Sequence, residues 1–115
     1  MEGLVTPLTT RVEAGSETGR IVLAGRVDRD GDAALAGAYR EATAAGATAL
    51  DLDFADVAYI NSTGIALVVR LLAEARRDGR TVRATGLSDH YREIFRITRL
   101  SDFMTIVGDV PGGER

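Results

Sequence analysis

Between residues 50 and 75 the apolar residues change their spacing, and no other feature constrains the fold of this chain as much. Leu50, Leu52 and Phe54 alternate with Asp51 and Asp53, the period-two pattern of a strand with one face against a core. From Gly64 onward, Ile65, Val68, Val69, Leu72 and Ala75 follow the i, i+3, i+4, i+7 spacing of an amphipathic helix. The stretch "RRDG" (residues 76–79) closes that helix with cations and a glycine. A strand and a helix are therefore joined through a polar knot, Asn61-Ser62-Thr63-Gly64, inside "YINSTGIALVVRLLAEARRDGR".

The rest of the chain extends this pattern. Leu8, Thr10, Val12 and Ala14 alternate with polar neighbours, "GSETG" reads as a turn, and "RIVLAGRV" as the returning strand of an N-terminal hairpin. "DRDGD" supplies capping residues for an Ala-rich helix over roughly residues 32–45, with Leu35, Tyr39 and Ala42 as its core face and Gly46 as its stop. "TVRAT" is a further strand. Ser88 or Asp89 caps a helix whose buried stripe is expected to be Tyr91, Ile94, Phe95 and Thr98, and "FMTIV" is a last strand. A hairpin followed by alternating helices and strands predicts an α/β fold, a central mixed sheet with helices packed on it. At 115 residues, without a visible repeat or linker, the chain reads as one domain over residues 1–115, with a core from about residue 4 to residue 108 and residues 109–115 as a flexible tail.

Composition removes several function classes. With no Cys there is no disulfide, thiol nucleophile or Cys-ligated metal, and the single His90 cannot build a His-rich metal site. A net charge of −3 gives no broad basic field for nucleic acid. The apolar run at residues 65–69 stops at Arg70, far short of a membrane span, and "MEGLVTPLTT" lacks the features of a signal peptide. A cytoplasmic protein without cofactor or metal is expected.

The knot at residues 61–64 then carries most of the functional information. A hydroxyl at or beside the N-cap of the helix starting near Gly64 can accept from an unpaired first-turn amide, a cap that contributes about 1 kcal/mol. The same free amides and the positive end of the helix dipole favour a phosphate. Phosphorylation would add about −1.5 to −2 charge there without disturbing the helix. Leu67 and Leu71 flank the core stripe on the side of Arg70 and Glu74, so they either form an apolar patch for a partner or widen the core face.

From "DFADVAYINSTGIALVV" through "IFRITRLSDFMTIV" the chain resembles the STAS domain, the family of sulfate transporters and anti-sigma factor antagonists. The family pattern at the junction is an apolar strand end, Asp-Ser-(Ser/Thr)-Gly and an apolar helix; here it reads Ile60-Asn61-Ser62-Thr63-Gly64-Ile65. "GRVD" (residues 25–28) stands where the family usually has Gly-Glu-Leu-Asp, and "IFRITRL" is similar to its last helix. The resemblance implies an anti-sigma factor antagonist that binds an anti-sigma factor which is also a serine kinase. The kinase phosphorylates the antagonist and lowers its affinity, and a phosphatase restores it. Residue by residue, the phosphorylated position is Ser62, ahead of its neighbour Thr63. Asn61, Ser62, Thr63 and Gly64, with Leu67 and Leu71, are the expected partner surface, Gly64 admitting a partner backbone close to the helix start.

Two departures stand out: Asn61 replaces the usual Asp, and little chain follows "FMTIV" for the C-terminal helix many relatives carry. The helix face it would cover is expected to be exposed or shared with a partner, and a homodimer is compatible with that. Asn61 also suits a different reading, a STAS module that never cycles phosphate and serves as a scaffold or an accessory subunit of a transport or signalling complex. An enzyme with Ser62 as nucleophile is disfavoured, because a nucleophile elbow needs Gly-x-Ser-x-Gly and position 60 is Ile.

Overall fold

In a computed structural model, which describes residues 6–108, the hairpin comes first: β1 (Thr9–Glu13) pairs antiparallel with β2 (Thr18–Val27). Next come α1 (Asp32–Ala42), β3 (Ala49–Ile60), α2 (Ser62–Arg77), β4 (Thr81–Thr85), α3 (Asp89–Ile97) and a two-residue β5 (Thr105–Ile106). Short 3-10 turns at Arg29–Gly31 and Leu100–Asp102 precede α1 and follow α3. The expected start of the core at residue 4 and the tail at residues 109–115 lie outside the described residues.

The strand order is β1-β2-β3-β4-β5, with every pair after the hairpin parallel. Parallel neighbours need crossovers, and crossovers are right-handed. Because the order advances in one direction only, all three helices fall on the same face of the sheet. Burial agrees: Ile21, Leu52 and Ala84 lie side by side in register and are all buried, as are Leu23, Val27, Leu50, Phe54 and Val82. The opposite face is charged. Arg20 pairs with Asp53 across β2 and β3 (2.5 Å), and Arg83 with Asp51 across β4 and β3 (3.0 Å). Long arginine stems shield a parallel sheet that has no second helical layer among the described residues.

The predicted elements appear, with differences at their ends. α1 stops at Ala42 because Thr43 turns its hydroxyl back to the Tyr39 carbonyl (2.8 Å) and Gly46, at φ 90°, completes the turn. β3 runs past the alternating segment to Ile60, although its second half pairs only with β2, through an irregular register. Ser88 caps α3, accepting from the Tyr91 amide (3.2 Å). Of the stripe expected there, Phe95 is fully buried, edge-on to Phe54 at 5.7 Å; Tyr91 and Ile94 are half-buried and Thr98 is exposed. "FMTIV" keeps only Thr105–Ile106 as strand, since the 3-10 turn takes up the residues before it.

Candidate functional site

The junction at residues 60–64 is fixed by backbone contacts from two directions. Ile60, buried at the end of β3, donates its amide to the Tyr91 hydroxyl of α3 (3.0 Å). Asn61 donates its own amide to the Val27 carbonyl at the end of β2 (3.3 Å). Tyr91 was expected only as part of a core stripe; its tether to the strand end depends on tertiary packing and has no signal in the local sequence.

Asn61, not Ser62, is the N-cap. Its backbone is extended (φ −98°, ψ −178°), its carbonyl accepts from Ile65 N (2.9 Å), and its side-chain Oδ1 accepts from Gly64 N (2.8 Å). The reason is geometric: a cap side chain must reach the third helical amide from an extended residue, and Asn61 is the last extended residue. Ser62 becomes the first residue of α2 and Thr63 the second, both exposed, and no partner for either hydroxyl is found among the described residues. Their amides belong to the first turn, where no helical carbonyl can reach them, and that turn carries no acidic residue.

The role expected of Gly64 changes as well. It is buried, and a Cβ built on it would stand 2.0 Å from the Val27 carbonyl oxygen and 2.7 Å from its carbon. The backbone that approaches Gly64 is the protein's own β2, leaving no room there for a partner. Leu67 and Leu71 are likewise corrected. They are 8% and 5% exposed and face α1, so they widen the core and offer no partner patch. An ion pair between Arg70 and Asp32 closes the α1–α2 seam above them. His90 sits exposed in the first turn of α3, its ring 4.8 Å from that of Tyr91.

The far end of α2 is built differently. The Tyr39 hydroxyl of α1 donates to Asp78 (2.8 Å), while Arg80 reaches the Tyr39 oxygen (3.3 Å), Asp78 (3.1 Å) and the Ala47 carbonyl before β3 (2.7 Å). Burial first, then its hydrogen bond to Asp78, raises the Tyr39 pKa above the ordinary tyrosine value.

The described residues thus form a mixed sheet with helices on one face and two exposed hydroxyls at the strand–helix junction. Residues 10–108 match the family described as "Mlab, STAS domain", and the chain belongs to the STAS domain family. No curated protein matches the sequence. Among solved structures, an anti-sigma factor antagonist from Mycobacterium paratuberculosis superimposes with a TM-score of 0.73 at 18% identity, over 92% of this chain and 90% of that one. The unphosphorylated form of the anti-sigma factor antagonist SpoIIAA gives 0.68 at 18% identity, over 91% and 93%. The phosphorylated form of the Bacillus cell fate determinant SpoIIAA gives 0.66 at 20% identity, over 88% and 93%. These likenesses establish the shared fold. Among the described residues, no helix is long and apolar enough to cross a membrane.

Proposed function

We propose that this chain is an anti-sigma factor antagonist that binds an anti-sigma factor with serine-kinase activity through the surface around Ser62, and that phosphorylation of Ser62 switches the binding off. The observation that carries the reading is the exposed Ser62 hydroxyl on the first residue of α2, beside a cap that another side chain already provides. A phosphate there would gain from the helix dipole and the free first-turn amides while leaving the Asn61 cap in place. The fold would stay and the docking surface would change charge. The likeness of the fold to SpoIIAA in both unphosphorylated and phosphorylated forms supports a phosphate being tolerated. Thr63, also exposed, is the second choice for the phosphate, and a phosphatase would reset the switch. On this reading the protein acts by binding, within the cytoplasm, and catalyses nothing itself.

Intact mass spectrometry after incubation with the anti-sigma kinase and ATP tests it. One phosphate on the wild type and none on Ser62→Ala is expected. An unchanged wild-type mass would overturn the switch and leave the second reading, a phosphate-free STAS scaffold or an accessory subunit of a transport or signalling complex. That reading is favoured by one observation: the acidic member of the junction motif is here a neutral Asn61 serving as a cap.

A further inference from the structure

On the outer side of α2, away from α1, a groove of about 390 Å³ lies between the helix and the 3-10 turn that follows α3. Its floor is the buried pair Leu72 and Leu100, and its walls are Val69 and Phe103, 46% and 54% exposed. Along α2 the lining residues are Val69, Leu72, Ala73 and Arg76, an i, i+3, i+4, i+7 series. That stripe spans two helical turns, about 10 Å, with the small Ala73 at its centre, where a second helix can approach closely. Arg76 and Arg99 rim the groove, and no carboxylate lines it.

The two arginines say what kind of helix would fit. The Arg76 guanidinium lies over the Phe103 ring, 5.5 Å from its centre, and no carboxylate pairs with it among the described residues. Arg99 gives Nε to Asp102 (2.7 Å), which leaves its terminal nitrogens for another acceptor. Arg99 also holds φ 69°, a left-handed conformation that glycine adopts without strain at a helix end. A strained arginine at that position is an observation that points to use of its side chain. In a twofold pair of identical chains the same arginines would oppose each other, so charge disfavours a second copy as the occupant.

We propose that this groove docks an amphipathic helix of a partner protein, which places apolar residues between Val69 and Phe103 and carboxylates against Arg76 and Arg99. The groove begins seven residues, about 10 Å, along α2 from Ser62. It is a surface separate from the phosphorylation switch and does not depend on it.

The test is a titration of isotope-labelled protein, followed by amide chemical shifts, with two synthetic helical peptides. Both carry Leu at i, i+3, i+4 and i+7; one is flanked by Glu, and the other has Lys in place of each Glu. The acidic peptide is expected to shift amides at residues 69–76 and 99–103 and to bind at least about tenfold more tightly than the lysine peptide. Arg76→Glu should abolish that preference. Arg99→Gly should weaken binding while the chain stays folded, because it also relieves the left-handed strain. A Ser62→Asp chain should titrate like the wild type, so that failure of the switch and failure of the docking site read separately. Equal binding of the two peptides, or no shift at these residues at millimolar peptide, would overturn the proposal. So would concentration-dependent broadening confined to these residues, which would make the occupant a second copy.

Discussion

The two ends of α2 solve opposite problems. At the C-terminal end Tyr39, Asp78 and Arg80 engage one another and the Ala47 carbonyl, one set that ties α1 and the end of α2 to the starts of β3 and β4. At the N-terminal end the backbone is held as firmly, by Val27, Asn61 and Tyr91, yet the side chains of Ser62 and Thr63 point outward. One end is a clasp and the other a presentation surface. Because Asn61 supplies the cap, the Ser62 hydroxyl holds no part of the fold, which is what the proposed phosphorylation would require of it. Both ends are needed to position the helix, and only one leaves hydroxyls available to a partner.

The comparison breaks most completely at Gly64. Its substitution by Val puts a branched side chain where a Cβ alone already meets the Val27 carbonyl at 2.0 Å. Backbone cannot yield as a flexible side chain can, so Gly64→Val should cost about 3 kcal/mol or more. In a domain of this size that lowers Tm by roughly 15 °C. Thermal denaturation checks it, and binding should fail together with the fold. A variant of normal Tm with lost binding would return Gly64 to the partner surface.

The sequence showed the period change at residues 50–75, and with it the strand, the helix and the junction between them, because spacing of apolar residues is a local signal. It did not show which of Asn61 and Ser62 caps the helix, since both residue types cap and only the backbone angle at residue 61 decides. Nor could it place Leu67 and Leu71. A helical wheel gives the angle between side chains but not the width of the neighbouring helix, and α1 turns out to cover both. The length of β3 was illegible for a similar reason: residues 55–59 lack alternation, and pairing with β2 alone keeps them extended. Tyr91 and Arg80 bind partners more than thirty residues away in sequence, beyond any local pattern.

Cap and clasp should each be worth about 1 kcal/mol, and two variants separate them. Asn61→Ala removes the oxygen that accepts from Gly64 N and should cost about 1 kcal/mol by chemical denaturation. Asn61→Asp should hold stability within a few tenths of a kcal/mol, since Asp caps as well as Asn and suits the helix dipole. It also restores the acid usual in the family, so faster phosphoryl transfer to Ser62 is expected; an unchanged rate would mean the kinase does not read position 61.

Tyr39→Phe keeps the buried ring and removes the hydroxyl bonded to Asp78 and Arg80, a loss of about 1 kcal/mol at neutral pH. Its pH signature is distinctive. Because the folded-state pKa lies above the unfolded value of 10.0, the folded protein disfavours the phenolate. The tyrosine's contribution is therefore complete below pH 10 and is lost as pH rises from there through the folded pKa. Denaturation curves from pH 8 to 11 should show the wild type losing stability faster than Tyr39→Phe at the alkaline end. Parallel curves would mean that the Tyr39 hydroxyl plays no part in the clasp.

A small effect on stability is expected at Ser62, where the proposed switch places an effect on binding that does not pass through the fold. Since Asn61 already supplies the cap, Ser62→Ala should be nearly neutral, within about 0.5 kcal/mol. A loss near 1 kcal/mol would instead mark Ser62 as a second cap. Ser62→Asp places a negative charge on the first helical residue, where the dipole favours it, so its stability should equal or slightly exceed that of the wild type. Binding should split the two variants. Ser62→Ala should retain affinity for the anti-sigma partner and resist inactivation by kinase and ATP. Ser62→Asp should bind more weakly, imitating part of the phosphate's charge on an exposed surface. Calorimetric titration of both, each shown to be folded, gives the answer directly. If Ser62→Asp binds as tightly as wild type and the wild type takes up no phosphate, the exposed end of α2 is a constant docking surface, and the contrast between its two ends is one of accessibility alone.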